Sequence, residues 1–467
     1  MTSAGTASET MFFEQFYLGC LAHASYLLAS DGEAVVVDPQ RDVEIYLQAA
    51  AEKGFQVRHI FETHLHADFV SGHKELAART GAQIYIGAKA HATFPHVALH
   101  DGFELRFGGA KITVLETPGH SPESICLLLT DEDRSARPWA VLTGDTLFIG
   151  DVGRSDLSPE HTPSELAGLL YDSLHNKLMT LPDDVVVYPA HGAGSLCGRN
   201  MRAERSSTIG TERLTNCALT IPNREQFIRE LTSNLPARPE YFLQDAQINR
   251  EGATPLAELP ELPRVSPQAV DALIRDGVVA LDVRPGDQFA RAHVPGSINI
   301  ALSGQFASWA GAVLGLTARP ILIAETADQV REARVRLARV GIDAERGFLA
   351  GGIPAWTQAG FKTDSLPQMA VRELYAHQGI PVLDVRRRSE WTAGHIQGAR
   401  LWPLDQFSSM LPALDKGSTV AVHCKSGYRS MIACSLLRKA GYPTVTNVVG
   451  GFDAWIEASY PITTGED

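Results

Sequence analysis

The 467 residues exceed what one hydrophobic core of ordinary size organises, and a rule of about 150 residues per domain predicts roughly three domains. Hydrophobic residues make up 44% and charged residues 20%, which excludes a disordered chain. The net charge of −13 excludes the clustered Lys and Arg that grip a phosphate backbone, so no nucleic acid partner is expected.

The opening residues, Met1-Thr-Ser-Ala-Gly, lack a basic region followed by an apolar stretch, and no later apolar run approaches membrane-spanning length. Neither export nor membrane insertion is expected. Cys20, Cys126, Cys197, Cys217, Cys424 and Cys434 have no disulfide-framework spacing, which points to reduced thiols and a cytoplasmic setting.

Between Ala24 and about His191, β-rich runs at 34–38, 57–61, 112–115 and 185–188 alternate with helical stretches, predicting an α/β region. Ligand-type residues follow the strands. His64-Leu-His66-Ala-Asp68 comes after Val57–Phe61, His120 lies in Thr117-Pro-Gly-His, Asp145 in Leu142-Thr-Gly-Asp, and His191 in Tyr188-Pro-Ala-His. A single histidine after a strand is more often structural; the ordered set is what points to a metal.

This set resembles the metallo-β-lactamase superfamily, which implies an αββα sandwich with a metal at the edge between two sheets, covering about residues 12–240. Hydrolase members, such as glyoxalase II, carry a further His directly after the motif Asp; here that residue is Phe69, whose ring cannot bind a cation. Resemblance to the persulfide dioxygenase branch implies His64, His120 and Asp145 as ligands of one Fe(II) per chain, with open positions for a substrate sulfur and dioxygen. His66, Asp68 and His191 are then pocket residues around the ligands, or relics of the fold. Arg154 is similar to an arginine placed at the substrate, where it could steady an anionic persulfide; a salt bridge within its loop is the other reading. After His191 the chain reads Gly-Ala-Gly-Ser-Leu-Cys197, without the aromatic residue of glutathione-using relatives. That stretch resembles fused dioxygenase–sulfurtransferases of the CstB type, in which a cysteine at this loop matters, so Cys197 is a candidate persulfide carrier beside an inert buried thiol.

Pro, Gly and Glu without apolar periodicity predict a linker over 244–264. A repeat follows: Leu281-Asp-Val-Arg284 with His293, then Leu383-Asp-Val-Arg386 with His395, closing as Gly351-Gly-Ile-Pro-Ala-Trp356 and Gly450-Gly-Phe-Asp-Ala-Trp455. At about 100 residues the repeat is too long for a solenoid unit and predicts two tandem α/β domains, 265–363 and 367–467, behind a first domain of 1–243.

The last domain carries Cys424-Lys425-Ser426-Gly427-Tyr428-Arg429 between an apolar strand and a helix, and resembles the rhodanese active-site loop. Amide groups in such a loop form an anion nest for a thiolate or persulfide, with Cys424 as nucleophile. The resemblance implies Lys425 to Arg429 as the substrate-binding loop, Arg429 binding an anionic donor, Asp384 and Arg386 bracing the fold, and six residues suiting sulfur transfer over phosphate chemistry. Aligning Pro320-Ile-Leu-Ile-Ala-Glu325 with the last domain's strand puts Glu325 where Cys424 stands, so the middle domain is expected to be inactive.

The resemblance implies that a low-molecular-weight persulfide is oxidised with O2 to sulfite, and that Cys424 passes a second sulfane sulfur to sulfite to give thiosulfate, in a homo-oligomer. Two alternatives stand: a glyoxalase II-like dinuclear zinc thioester hydrolase with a fused sulfurtransferase, and a sulfur carrier with a structural metal.

Overall fold

The structure is a computed structural model that describes residues 11–233, 235, 238–377, 379–408, 410–412 and 417–465. The chain forms two compact units, residues 1–259 with 338–341, and residues 260–337 with 342–467.

The first unit contains two six-stranded sheets. One holds β1 (Phe12–Leu18), β2 (His23–Ser30), β3 (Glu33–Val37), β4 (Gln56–Glu62), β5 (Gln83–Gly87) and β6 (Val97–Leu99) in sequence order. The other holds β7 (Glu104–Phe107), β8 (Ala110–Glu116), β9 (Ile125–Asp131), β10 (Ala140–Gly144), β11 (Val186–Pro189) and β12 (Ser207–Thr208), again in sequence order. The apolar runs predicted as strands lie in β3, β4, β8 and β11. β3 to β4 and β10 to β11 are parallel pairs, which need a crossover, supplied by the helices Glu44–Glu52 and Pro163–Asn176. The second helix starts at Thr162, whose side chain accepts from the Glu165 amide while Glu165 reaches back, with Pro163 in the first turn.

Alternate residues of the central strands share one face. Tyr26, Leu28, Val35, Val37 and Phe61 of the first sheet thus meet Ile112, Val114, Leu127 and Leu142 of the second in one buried cluster. The opposite faces are covered by helices: Leu27, Val36 and Ile60 pack with Tyr46 and Leu76, and Val141 and Val187 with Leu170, Leu174 and Phe227. The layers run helix, sheet, sheet, helix, as expected.

The predicted linker is shorter than the sequence implied. A helix, Tyr241–Glu251, runs into it and buries Tyr241, Phe242, Asp245 and Asn249. Its inward face includes an Asp and an Asn, which hid the apolar period.

In the second unit each repeat builds a five-stranded parallel sheet. The strands of the first are β13 (Arg264–Val265), β14 (Ala280–Asp282), β15 (Ile298–Asn299), β16 (Ile321–Ile323) and β17 (Gly347–Leu349), in the order β13-β17-β16-β14-β15. The next repeat comprises β18 (Gln368–Ala370), β19 (Val382–Asp384), β20 (His395–Ile396), β21 (Arg400–Leu401), β22 (Val420–His423), β23 (Val445–Val449) and β24 (Ile462–Thr463). Its main sheet has the order β18-β23-β22-β19-β21, and β20 pairs with β24. Among the described residues no helix is long and apolar enough to cross a membrane, and none of the six cysteines is in a disulfide.

Candidate metal centre and sulfur-transfer loop

β4, β8, β10 and β11 deliver the predicted ligand residues to one pocket. His64 follows β4 after Thr63, His120 lies in the β8–β9 turn, Asp145 directly follows β10, and His191 comes one residue after Ala190 beyond β11. All four are at most 1% exposed.

Hydrogen bonds orient each ring. Thr63 Oγ1 donates to Asp38 at 2.9 Å, so it accepts from His64 Nδ1 at 3.0 Å and leaves Nε2 of His64 with its lone pair. His120 Nδ1 donates to the Arg154 carbonyl at 2.9 Å, leaving its Nε2 free of that bond. Asp145 Oδ2 lies 3.8 Å from His64 Nε2 and 3.5 Å from His120 Nε2, and neither Asp145 Oδ2 nor His64 Nε2 has a hydrogen-bond partner. A cation bonded to each at about 2.1 Å would draw these atoms together by only a few tenths of an ångström. Two imidazoles and one carboxylate fit a divalent transition metal. Burial alone would raise Asp145, but His191 and His64 hold it well below the ordinary carboxylate range; burial, reinforced by His66, keeps His64 well below the usual imidazole value. Gly153 packs on this site: a Cβ there would meet the Asp145 carbonyl at 2.0 Å and His120 Nδ1 at 2.9 Å.

His66, Asp68 and His191 also converge closely enough to hold an ion, and His66 Nε2, Asp68 Oδ1 and His191 Nε2 have no hydrogen-bond partner either. His66 Nε2 lies 3.2 Å from Asp38 Oδ1 and 3.6 Å from Glu62 Oε2. His191 sets Nδ1 on Asp145 Oδ1 at 2.7 Å and Nε2 on Asp68 Oδ2 at 3.0 Å. Burial would lower His191, yet Asp145 and Asp68 raise it well above the ordinary value; Nδ1 is hydrogen-bonded to Asp145, and Nε2 lies beside Asp68 without a hydrogen bond. Phe69 is fully buried with its ring 4.4 Å from His66 and 4.1 Å from His23.

Cys197 lies within ligand distance of Asp145 and His191. It is 1% exposed, and burial, then Asp68 and Asp145, push its thiol well above the ordinary range. Arg154 is held within its loop: its guanidinium binds Asp156 through Nε at 2.6 Å and Nη2 at 2.8 Å, with Nη1 on the Leu196 carbonyl. An acid two residues away captures the arginine, whose amide also donates to the Cys197 carbonyl at 2.9 Å. It closes the Cys197 loop.

Four pocket contributors escaped the sequence reading. His23 is fully buried with neither ring nitrogen hydrogen-bonded. Asp38 and Glu62 hold the motif from behind. Asn249 donates to the carbonyls of His66 and Phe69, both at 2.7 Å, and accepts from the Ser71 amide. Only the burial of a whole helix face marks Asn249, and that face is not apolar.

In the last domain β22 ends at His423 and a helix runs Tyr428–Lys439. Cys424 is 1% exposed, with the Gly427 amide donating to Sγ at 3.1 Å. Ser430 Oγ lies 3.5 Å from Sγ and donates to Asn447 at 2.6 Å. Lys425 and Ser426 are exposed. Arg429 is held in a two-point pair by Glu390, at 2.6 and 2.8 Å, a partner that sequence reasoning missed. Tyr428 turns away from Cys424, donating to the Ala301 carbonyl at 2.8 Å. Cys434 is fully buried on the helix.

The middle domain corrects the alignment by one residue. Asp282 pairs with Ile323 as Asp384 pairs with His423, so Ala324, and not Glu325, stands at the position of Cys424. The connection is one residue shorter, because the helix Ala327–Ala338 begins sooner after its strand. Glu325 is exposed. No sulfur nucleophile stands at this position.

The metallo-β-lactamase superfamily matches residues 18–191, and the rhodanese-like domain family matches residues 266–359 and 369–458. The persulfide dioxygenase ETHE1 of Bos taurus is 31% identical over 45% of this chain and 77% of its own. The hydroxyacylglutathione hydrolase of Francisella tularensis subsp. novicida (strain U112) is 32% identical over 38% of this chain and 65% of its own. A metallo-β-lactamase structure from Staphylococcus aureus subsp. aureus COL superposes with a TM-score of 0.65 at 32% identity, covering 73% of this chain and 99% of that one. With these matches beside the buried two-histidine, one-carboxylate cluster and the Cys424 loop, the chain belongs to the metallo-β-lactamase superfamily, has persulfide dioxygenase relatives, and carries two rhodanese-like domains behind its first domain.

Proposed function

We propose that the chain oxidises the sulfane sulfur of low-molecular-weight persulfides with O2 at a single Fe(II) held by His64, His120 and Asp145, and couples this to sulfur transfer through Cys424. The observation that carries the reading is the contrast within one pocket. His64 and Asp145 turn unpartnered atoms towards His120 Nε2, and Thr63 and the Arg154 carbonyl fix the two rings, whereas His66, Asp68 and His191, equally short of hydrogen bonds, have the ring of Phe69 beside them where a further ligand would complete a second metal.

Bound iron would supply the one-electron chemistry that lets ground-state dioxygen react with sulfur. The chain's own residues do the rest. Thr63 and the Arg154 carbonyl fix the tautomers of His64 and His120, and His191 holds the far oxygen of Asp145. Phe69 and the burial of all these groups keep bulk water from the ligands. In the balanced reaction a persulfide, dioxygen and water give a thiol and sulfite. A second persulfide passes its outer sulfur to Cys424, releasing its thiol. The Gly427 amide faces Cys424 Sγ, and sulfite then attacks the outer atom, breaking the S–S bond to give thiosulfate and the Cys424 thiolate. Cys197, beside Asp145, is a carrier candidate for the incoming sulfur, and its loop is braced by Arg154.

The test separates the two clusters. Asp145→Ala should lose bound iron and oxygen uptake together, and His66→Ala should keep its iron while its uptake falls. A His66→Ala protein without iron, beside an Asp145→Ala protein that retains it, would move the ligand set and overturn the assignment. The hydrolase reading has one feature in its favour, the convergence of His66, Asp68 and His191. It predicts two zinc ions per chain and thioester cleavage without oxygen.

A further inference from the structure

The helix that begins in the Cys424 loop turns one stripe towards the middle domain, within the same compact unit. Tyr428, Met431, Ser435 and Arg438 recur at helical spacing along that stripe. Each has a partner in that domain or in the segment that follows it: Ala301 for Tyr428, Gly286 against Met431, Asn299, whose amide donates to Ser435 Oγ, and, just beyond the domain, Asp364 for Arg438. The contact begins at the loop itself. The Tyr428 ring lies against Gly304 so closely that a Cβ there would come within 2.4 Å of Cζ, and the hydroxyl is fixed on the Ala301 carbonyl. Tyr428 sits between Gly427, whose amide faces Cys424 Sγ, and Arg429, which Glu390 holds.

We infer that the middle domain, lacking a nucleophile of its own, positions the sulfur-transfer loop of its neighbour. Ala301 and Gly304 form the seat, and Tyr428 is a positioning residue that aims the Gly427 amide at Cys424. A side chain that would otherwise be counted with the substrate-binding loop acts backwards, on the loop's geometry. Loop geometry governs how well the amide stabilises charge on sulfur in the transition state, so the effect belongs in kcat more than in KM.

The inference rests on Cys424 being the sulfur-transfer nucleophile, and the experiment keeps the two claims apart. Thiosulfate serves as donor and cyanide as acceptor in the full-length chain. Thiosulfate gives its outer sulfur to Cys424 and leaves as sulfite; cyanide takes it as thiocyanate and restores the thiolate. Gly304→Ala should lower kcat about tenfold and Tyr428→Phe about threefold, with KM for thiosulfate unchanged. Asp364→Asn, at the far end of the same contact, should leave both constants at wild-type values while loosening the domain contact. Urea unfolding of each variant checks that the second unit is folded. If Gly304→Ala and Tyr428→Phe keep wild-type kcat, or Asp364→Asn lowers it equally, the positioning role is overturned. Wild-type protein that forms no thiocyanate overturns the Cys424 reading itself, and this inference with it.

Discussion

The two rhodanese-like domains share a frame and differ at one loop. In each, a buried Asp on the second strand grips an Arg two residues on, Asp282 with Arg284 and Asp384 with Arg386, and that Arg donates to a carbonyl eight residues further, Ala292 or Gly394. In each, a buried histidine stacks on an aromatic ring and bonds the same residue's carbonyl, His293 on Phe289 and His395 on Trp391. Each ends on a tryptophan whose indole donates to the chain six residues on. The loops then diverge. In the middle domain the Gln329 carboxamide accepts from the Glu325 amide at 2.8 Å and lies 3.4 Å from that of Thr326, filling the position an anion would take. In the last domain the Gly427 amide faces a sulfur instead. The frame stabilises; the loop decides the chemistry.

The sharpest way to break this contrast is to move the nucleophile. Cys424→Ser should cost sulfur transfer at least about a thousandfold, the scale of losing a covalent nucleophile, while oxygen uptake continues and sulfite replaces thiosulfate among the products. Ala324→Cys should gain no transfer activity, because Gln329 already occupies the amides. An active Ala324→Cys, Cys424→Ser double variant would show that the loops are equivalent after all.

The shared frame predicts shared costs. Asp282→Ala and Asp384→Ala each leave an arginine buried without its acid, which should destabilise each domain by about 3–5 kcal/mol in urea unfolding. A large difference between the two would mean that the frames are not equivalent.

The smallest effect belongs to Glu390, which only the last domain has. Glu390→Gln should free Arg429 for an anionic donor and lower KM for thiosulfate a few-fold, the scale of a partly exposed pair of about 0.2–1 kcal/mol. Although burial would raise Glu390, Arg429 holds its carboxyl below its ordinary value of 4.5. The pair's stabilisation is therefore fully present above the ordinary carboxylate range and is lost as pH falls through the depressed folded value. The gap in Tm between wild type and Glu390→Gln should shrink below about pH 4.

Much of this was legible in the sequence because it is local. Strand ends followed by His64, His120, Asp145 and His191 could be read from short apolar runs, and the repeat from its Asp-Val-Arg and Gly-Gly punctuation. What escaped depends on approach across the chain. Asn249 reaches a loop 180 residues earlier, and Glu390 meets an arginine 39 residues later. Neither has a periodic or motif signal. The sequence alone aligns Glu325 with Cys424 because loop length is invisible until strand register is known. Arg154 was open between substrate and salt bridge because the nearby Asp156 declares itself only once the loop is folded.

The central claim is oxidation at one iron, and the most direct measurement pairs metal content with oxygen uptake. Protein purified anaerobically is given glutathione persulfide or coenzyme A persulfide, and sulfite and thiosulfate are quantified afterwards. About one iron per chain, with persulfide-dependent uptake and thiosulfate as the main product, is the result predicted here. Two zinc ions per chain and no uptake would contradict it and return the first domain to hydrolysis.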